Sequence, residues 1–269
     1  MESPTEPSRI APDTPLRGLN RLLGDLERME FHLAMAREWA RGPNPEKLAR
    51  WFDESVGAFE RYSNVDEALV GVERTPLPDI RGRGRSMMGF SRAVEVTACI
   101  KGQDRVEVVG EPSMAVAFVD REVVPGRTTG SAAGPPPHVD LLLLRNTQDQ
   151  TPTVCVVKVG ADGNPFVGLV RALMYAAELS TVSQQRRLML QYPEAYRGAT
   201  SPLDVIVLLH VHALSRVRTD LLGATHDLIG KLVGFAGIRR HVRRINLVEG
   251  EIVSSGNKSR FALHRVTGR

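Results

Sequence analysis

Hydrophobic positions along this chain change period once, and the change divides it. Leu16, Leu19, Leu23, Leu26 and Leu33 are spaced by three, four and seven residues, the stripe of a helix with one buried face. Gly42-Pro43 predicts the end of that helix, and Asn44-Pro45 predicts a new start, with Asn44 as N-cap and the proline in the first turn. Leu48, Phe52, Val56 and Phe59 give the second helix its inward face. Residues 14–74 thus read as a helical hairpin, too small to bury its own stripe. It needs a partner, either the rest of the chain or the same hairpin in a homodimer. Residues 1–13, rich in proline, serine and threonine, read as a disordered tail, and residues 75–89, containing TPLPDIRGRGR, as a linker.

From residue 90 to 269 strand and helix signals alternate. Strands are predicted near Met114–Phe118, Val139–Arg145, Thr153–Val159, Asp204–Val211 and Arg244–Ser254. Asn164-Pro165 caps a helix whose apolar positions Phe166, Leu169, Val170, Leu173 and Ala177 follow the 3.6-residue period, and Arg218–Phe235 supplies another. GRTTGSAAGPPP, residues 126–137, reads as a loop. The expected fold class is α/β, a mixed central sheet flanked by helices and preceded by the hairpin.

Composition narrows the function classes. A chain of 269 residues that is 42% hydrophobic can bury a substantial core. Its apolar runs fall short of the ~18 residues a membrane span requires, and the first residues lack the apolar core of a signal peptide, so a cytoplasmic location is expected. A formal net charge of +4 permits a nucleic-acid partner without requiring one. The charge is concentrated locally, in Arg81, Arg83 and Arg85 and in Arg239, Arg240, Arg243 and Arg244 of IRRHVRR. With aromatic residues at 5% and none among these arginines, base stacking is poorly supported, which favours DNA over RNA. Cys99 and Cys155 cannot make a disulfide framework or a four-thiolate zinc site. His210 and His212 share a strand face but have no third ligand at useful spacing. The common hydrolase, phosphate-loop and dinucleotide fingerprints are absent.

The stretch HVDLLLLRNTQDQTPTVCVVKVG carries the chemistry. Two strand-length apolar runs each hold one charge, Asp140 in the first and Lys158 in the second. Isolated charges in such runs are costly, so either the two form a structural ion pair or they mark a site at one end of the sheet.

This stretch resembles the PD-(D/E)XK nuclease-like superfamily, in which an aspartate on one strand is followed by an acid-x-lysine tripeptide on the next and then by a helix. Here Asp140 precedes Val156-Val157-Lys158 and the helix that begins NPFVGLV. The resemblance implies a restriction-endonuclease-like core and a catalytic set of Asp140, Lys158 and Glu95, the last from an upstream helix, with Glu111 nearby. Arg171 stands where such helices often place a glutamine. Val156 replaces the metal-binding acid of the tripeptide, leaving Asp140 on the preceding strand as the one implied metal ligand, and a weak one, since magnesium requires hard oxygen donors. The expectation is therefore no cofactor, unless a carboxylate such as Glu178 is supplied from elsewhere. On this reading the protein is a nuclease-like domain with lost or weakened catalysis and a retained nucleic-acid or regulatory cleft, bound through Arg171, Arg239, Arg240, Arg243 and Arg244. The alternatives are a protein-interaction scaffold using the hairpin, and an active metal-dependent endonuclease with a relocated carboxylate.

Overall fold

A computed structural model describes residues 18–19, 21–23, 26, 38–40, 44–62, 87–109, 111–123, 139–145, 150–159, 164–196, 202–210, 216–255 and 258–266. The expected tail, the Gly42-Pro43 break, most of the linker, the 126–137 loop and His212 lie outside these residues.

In chain order the elements are α1 (Asn44–Tyr62), α2 (Met87–Lys101), β1 (Val106–Val109), β2 (Glu111–Val123), β3 (Val139–Arg145) and β4 (Thr151–Val159). There follow α3 (Pro165–Leu179), α4 (Val182–Gln191), β5 (Leu203–His210), α5 (Arg216–Leu232), α6 (Ala236–His241), β6 (Val242–Ser255) and β7 (Lys258–Arg265). Strands β1 to β4 are successively antiparallel, β4, β5 and β6 are parallel, and β6 and β7 form an antiparallel hairpin.

The expected open sheet is corrected here, and with it the restriction-endonuclease-like core. The seven strands form a closed barrel in the order β1-β2-β3-β4-β5-β6-β7. Closure comes from β1 and β7, neither of which was expected; they run parallel and meet at Val108↔Leu263 and Val109↔His264. The physical cause is apolar. β1 alternates buried and exposed residues, and its Val106 and Val108 join Phe261 and Leu263 of β7 in the inner hydrophobic cluster. Leaving either strand off would expose that cluster along an open edge.

The inner cluster draws on all seven strands, with Leu141, Leu143, Cys155, Val157, Ile206 and Leu208 at its centre. Helix α2 adds Val96 and Ile100 to it. The outer faces of β4 and β5 are covered by α3, so both strands are buried along their whole length, and between their polar ends the side chains are apolar on both faces. Asn164 caps α3 by accepting from the backbone N–H groups of Phe166 and Val167. Gly168 permits the close approach: a Cβ there would stand 2.7 Å from Val207 Cγ1 and 3.3 Å from Lys158 Cγ.

The N-terminal helical layer lies on this assembly. Leu19, Leu22, Leu23 and Leu26 are buried in the same outer core as Leu48, Phe52 and the apolar face of α3. Trp39 stacks at 5.5 Å from Trp51 and 6.4 Å from Phe166, ring centre to ring centre. Glu60 of α1 accepts the backbone N–H of Val182, the first residue of α4, at 3.0 Å. Lys231 of α5 donates to the carbonyl of Ala40. Of the expected apolar stripe, Leu19, Leu23, Leu26, Leu48, Phe52 and Val56 are thus buried within the chain itself, and Leu16 and Leu33 lie outside the described residues. Among the described residues no single helix is long and apolar enough to cross a membrane.

Candidate functional site

The residues singled out in the sequence fall at opposite ends of the barrel. Asp140 opens β3 and Lys158 nearly closes β4, and because these strands are antiparallel the two residues share an end. The last ladder pair there is Leu141↔Cys155. One residue further, the Asp140 carboxylate takes over from the backbone and accepts the N–H of Val157 at 2.8 Å.

Val156, the residue in place of the acid, lies on the outer face of β4, 0% exposed among Val154, Phe166 and Leu169. Lys158 follows on the same face and is 6% exposed, its stem running beside Gly168. Asp140 also acts on Cys155, whose thiol is pushed well up by burial, with the carboxylate's charge adding to the effect.

Sequence reasoning missed Glu122. The pairs Arg121↔Leu141 and Val123↔Val139 place it opposite Asp140 on β2, and its backbone is in the left-handed region at φ 49. No local motif marks it, since its proximity to Asp140 arises only from strand pairing.

The other expected members lie elsewhere. Glu95 is exposed on α2, within reach of Cys99, whose thiol is raised by burial and then by this carboxylate. The side chain of Glu111 lies outside the described residues. Arg171 is partly buried on α3, one turn beyond Gly168. Glu178 is buried ten residues beyond Gly168, or about 15 Å along the helix, so it is remote from Lys158. His210 points into the barrel and hydrogen-bonds through Nδ1 to the carbonyl of Gly250 at 2.8 Å, 6.0 Å from the Phe261 ring.

The oxygen donors at this end are the carboxylates of Asp140 and Glu122, on adjacent strands. One oxygen of Asp140 is engaged by a backbone N–H, Val156 supplies no oxygen, and no group of three or more His, Cys, Asp or Glu side chains is assembled among the described residues.

At the opposite end the barrel interior is polar. Arg145, Thr151, Thr153 and Asp204 are buried on adjacent strands, with Arg145 opposite Thr151 and Thr153 opposite Asp204. Arg145 Nε sits 3.1 Å from Asp204 Oδ2, and its Nη2 donates to Thr151 Oγ1 at 3.3 Å. Asp204 in turn faces Arg244 of β6.

A register shift between the pairs Leu203↔Val242 and Asp204↔Arg244 leaves Arg243 as an extra residue in β6. Successive strand residues normally point to opposite faces, but a bulge re-aims one of them. As a result Arg243 and Arg244 both act on Asp204, together with Arg145. Burial pushes the Asp204 carboxyl up, and the three arginines oppose that rise. Arg239 and Arg240, exposed on α6, immediately precede this point.

No family model, curated protein or solved structure matches this chain. The two ends are therefore distinguished by their own chemistry. Five residues of β4 separate Thr153, at the arginine end, from Lys158, a span of about 16 Å. Arg239, Arg240, Arg243 and Arg244 therefore do not share a cleft with Asp140 and Lys158. Arg145 and Asp204 join them instead; neither was singled out in the sequence, although a lone charge at the end of each apolar strand was a usable signal.

Proposed function

We propose that this protein binds nucleic acid, DNA in preference to RNA, without cleaving it. On this reading Asp140, Val156 and Lys158 take no part, and binding resides at the far end of the barrel. The supporting observation is the convergence of Arg145, Arg243 and Arg244 on the single carboxylate of Asp204, beside the exposed Arg239 and Arg240. Guanidinium groups outnumber carboxylates in this group, which suits a phosphate backbone. The occupied Asp140 oxygen and the buried Val156 weigh against metal-assisted hydrolysis. The scaffold alternative gains nothing from the helical layer, whose apolar face is already covered by α3, α5 and α6.

The deciding experiment is duplex binding by fluorescence anisotropy across a salt series. With about three phosphates neutralised, affinity should fall roughly 40-fold between 50 and 200 mM salt, with a slope of about −2.7 on logarithmic axes. Changing Arg239, Arg240 and Arg243 together to Gln should abolish that slope. Absence of binding at low salt would overturn the proposal.

A further inference from the structure

The arginines at this end differ in depth. Arg239, Arg240 and Arg243 are exposed, Arg244 is half-buried, and Arg145 is buried at the floor beside Thr151. Arg244 and Arg145 point into the barrel because they lie on the same strand faces as the inner cluster, two residues beyond Leu143 in β3 and across from Asp204 in β6. A phosphate in the middle of a duplex can touch the exposed group from outside. Arg244 is half-buried on the inward strand face, so a phosphate with chain on both sides approaches it less closely than it approaches the exposed arginines. A terminal phosphate meets no such obstacle, since chain leaves it in one direction only. It also carries about −1.5 to −2 charge at neutral pH, more than a diester, and a half-buried guanidinium acts on that charge through a less screening medium than water.

We infer that the arginine end of the barrel selects nucleic-acid ends bearing a terminal phosphate, with Arg244 receiving that phosphate and Arg239, Arg240 and Arg243 holding the adjoining backbone. The inference rests on the nucleic-acid reading above. Asp204 keeps Arg145 in place beneath the terminal phosphate, and the net positive charge of the group offsets the carboxylate's repulsion.

The test compares four forms of one short duplex by competition anisotropy at fixed salt: ends with 5′-phosphate, 3′-phosphate or hydroxyl only, and a dumbbell closed by loops at both ends. One of the phosphorylated forms should bind roughly tenfold more tightly than the hydroxyl form and the dumbbell. Arg244→Gln should reduce that ratio to about one by weakening the phosphorylated duplex roughly tenfold more than the hydroxyl form, whereas Arg239→Gln should weaken all forms alike. Equal, salt-dependent affinity for all four forms would overturn the end preference and leave nucleic-acid binding standing. So would a loss in Arg244→Gln that is the same for every form. No binding of any form would remove both.

Discussion

The carboxylate of Asp140 accepts the backbone N–H of Val157 at 2.8 Å, one residue past the last ladder pair between β3 and β4. A side chain thus continues the ladder where the main chain stops. This relation accounts for a charge at the end of an apolar strand without any ligand, because the charged group satisfies a backbone donor that would otherwise be left unpaired.

Replacing that carboxylate should therefore register as a stability change. Asp140→Ala is expected to cost about 1–3 kcal/mol in urea denaturation, the range for leaving a buried donor unsatisfied or losing a charged hydrogen bond. Asp140→Asn, which keeps an acceptor oxygen, should cost less. Magnesium should shift the thermal midpoint of neither wild type nor variant; a rise confined to wild type would show a working metal site.

How much of this was legible in the sequence depends on the element. VDLLLLR and DVIVLLH stood out because both faces of those strands are buried, which makes them uninterrupted apolar runs. β1 and β7 gave no such signal. VEVV is four residues long, and KSRFALHR intersperses its apolar positions with charge because only one face is covered. Their pairing is long-range, so no window of sequence contains it, and it is what turns an expected open sheet into a barrel. The same reason hid the site. Asp140 and Lys158 sit near each other in a hairpin and were found together, whereas Arg145, Asp204 and Arg244 come from three strands and were joined only by register. Placing Arg239, Arg240, Arg243 and Arg244 with Asp140 failed because these arginines lead into β6 and so lie at the N-terminal end of the parallel strands, whereas Asp140, on a strand antiparallel to β4, lies at their C-terminal end.

The packing inside the barrel can be tested at Gly250. A Cβ there would fall 2.7 Å from Phe261 Cε1 and 2.8 Å from Leu208 Cδ1, inside the barrel where no flexible chain end can yield. Gly250→Ala should destabilise by about 1–3 kcal/mol through overpacking. Trimming the ring with Phe261→Leu in the same chain should recover part of that loss, so the double variant should be more stable than the sum of the single changes predicts. Strict additivity would show that the ring and the glycine are not in contact.

Leu23 reports on the helical layer. It is buried with Leu19, Leu22 and Leu26 in the outer core shared with α3. Leu23→Asp should lower stability by several kcal/mol, since a core side chain is replaced by an uncompensated charge. The stripe is covered within one chain, so molecular mass by light scattering should be the same for wild type and a folded Leu23→Ala variant. A fall in mass for Leu23→Ala would mean that the layer also joins two copies.

The pH dependence of stability should carry the signature of Asp204. Burial raises its carboxyl pKa above the ordinary value despite Arg145, Arg243 and Arg244. A carboxyl raised in the folded state holds its proton more tightly there than in the unfolded chain. Its favourable contribution is present in full below the unfolded value near 4 and is lost as pH rises through the folded value. Asp204→Asn resembles the protonated form and cannot titrate. The thermal midpoint of Asp204→Asn minus that of wild type should therefore be smallest in acid, increase as pH rises, and level off once the folded carboxyl has ionised. His241 follows the opposite course. Burial lowers its pKa, so its contribution is lost as pH falls through the unfolded value near 6.5 toward the folded one. It is common to both proteins and cancels in the difference. If wild type instead gained on Asp204→Asn with rising pH, the attraction of the three arginines would outweigh burial, and Asp204 would hold the arginine end together as an ion pair.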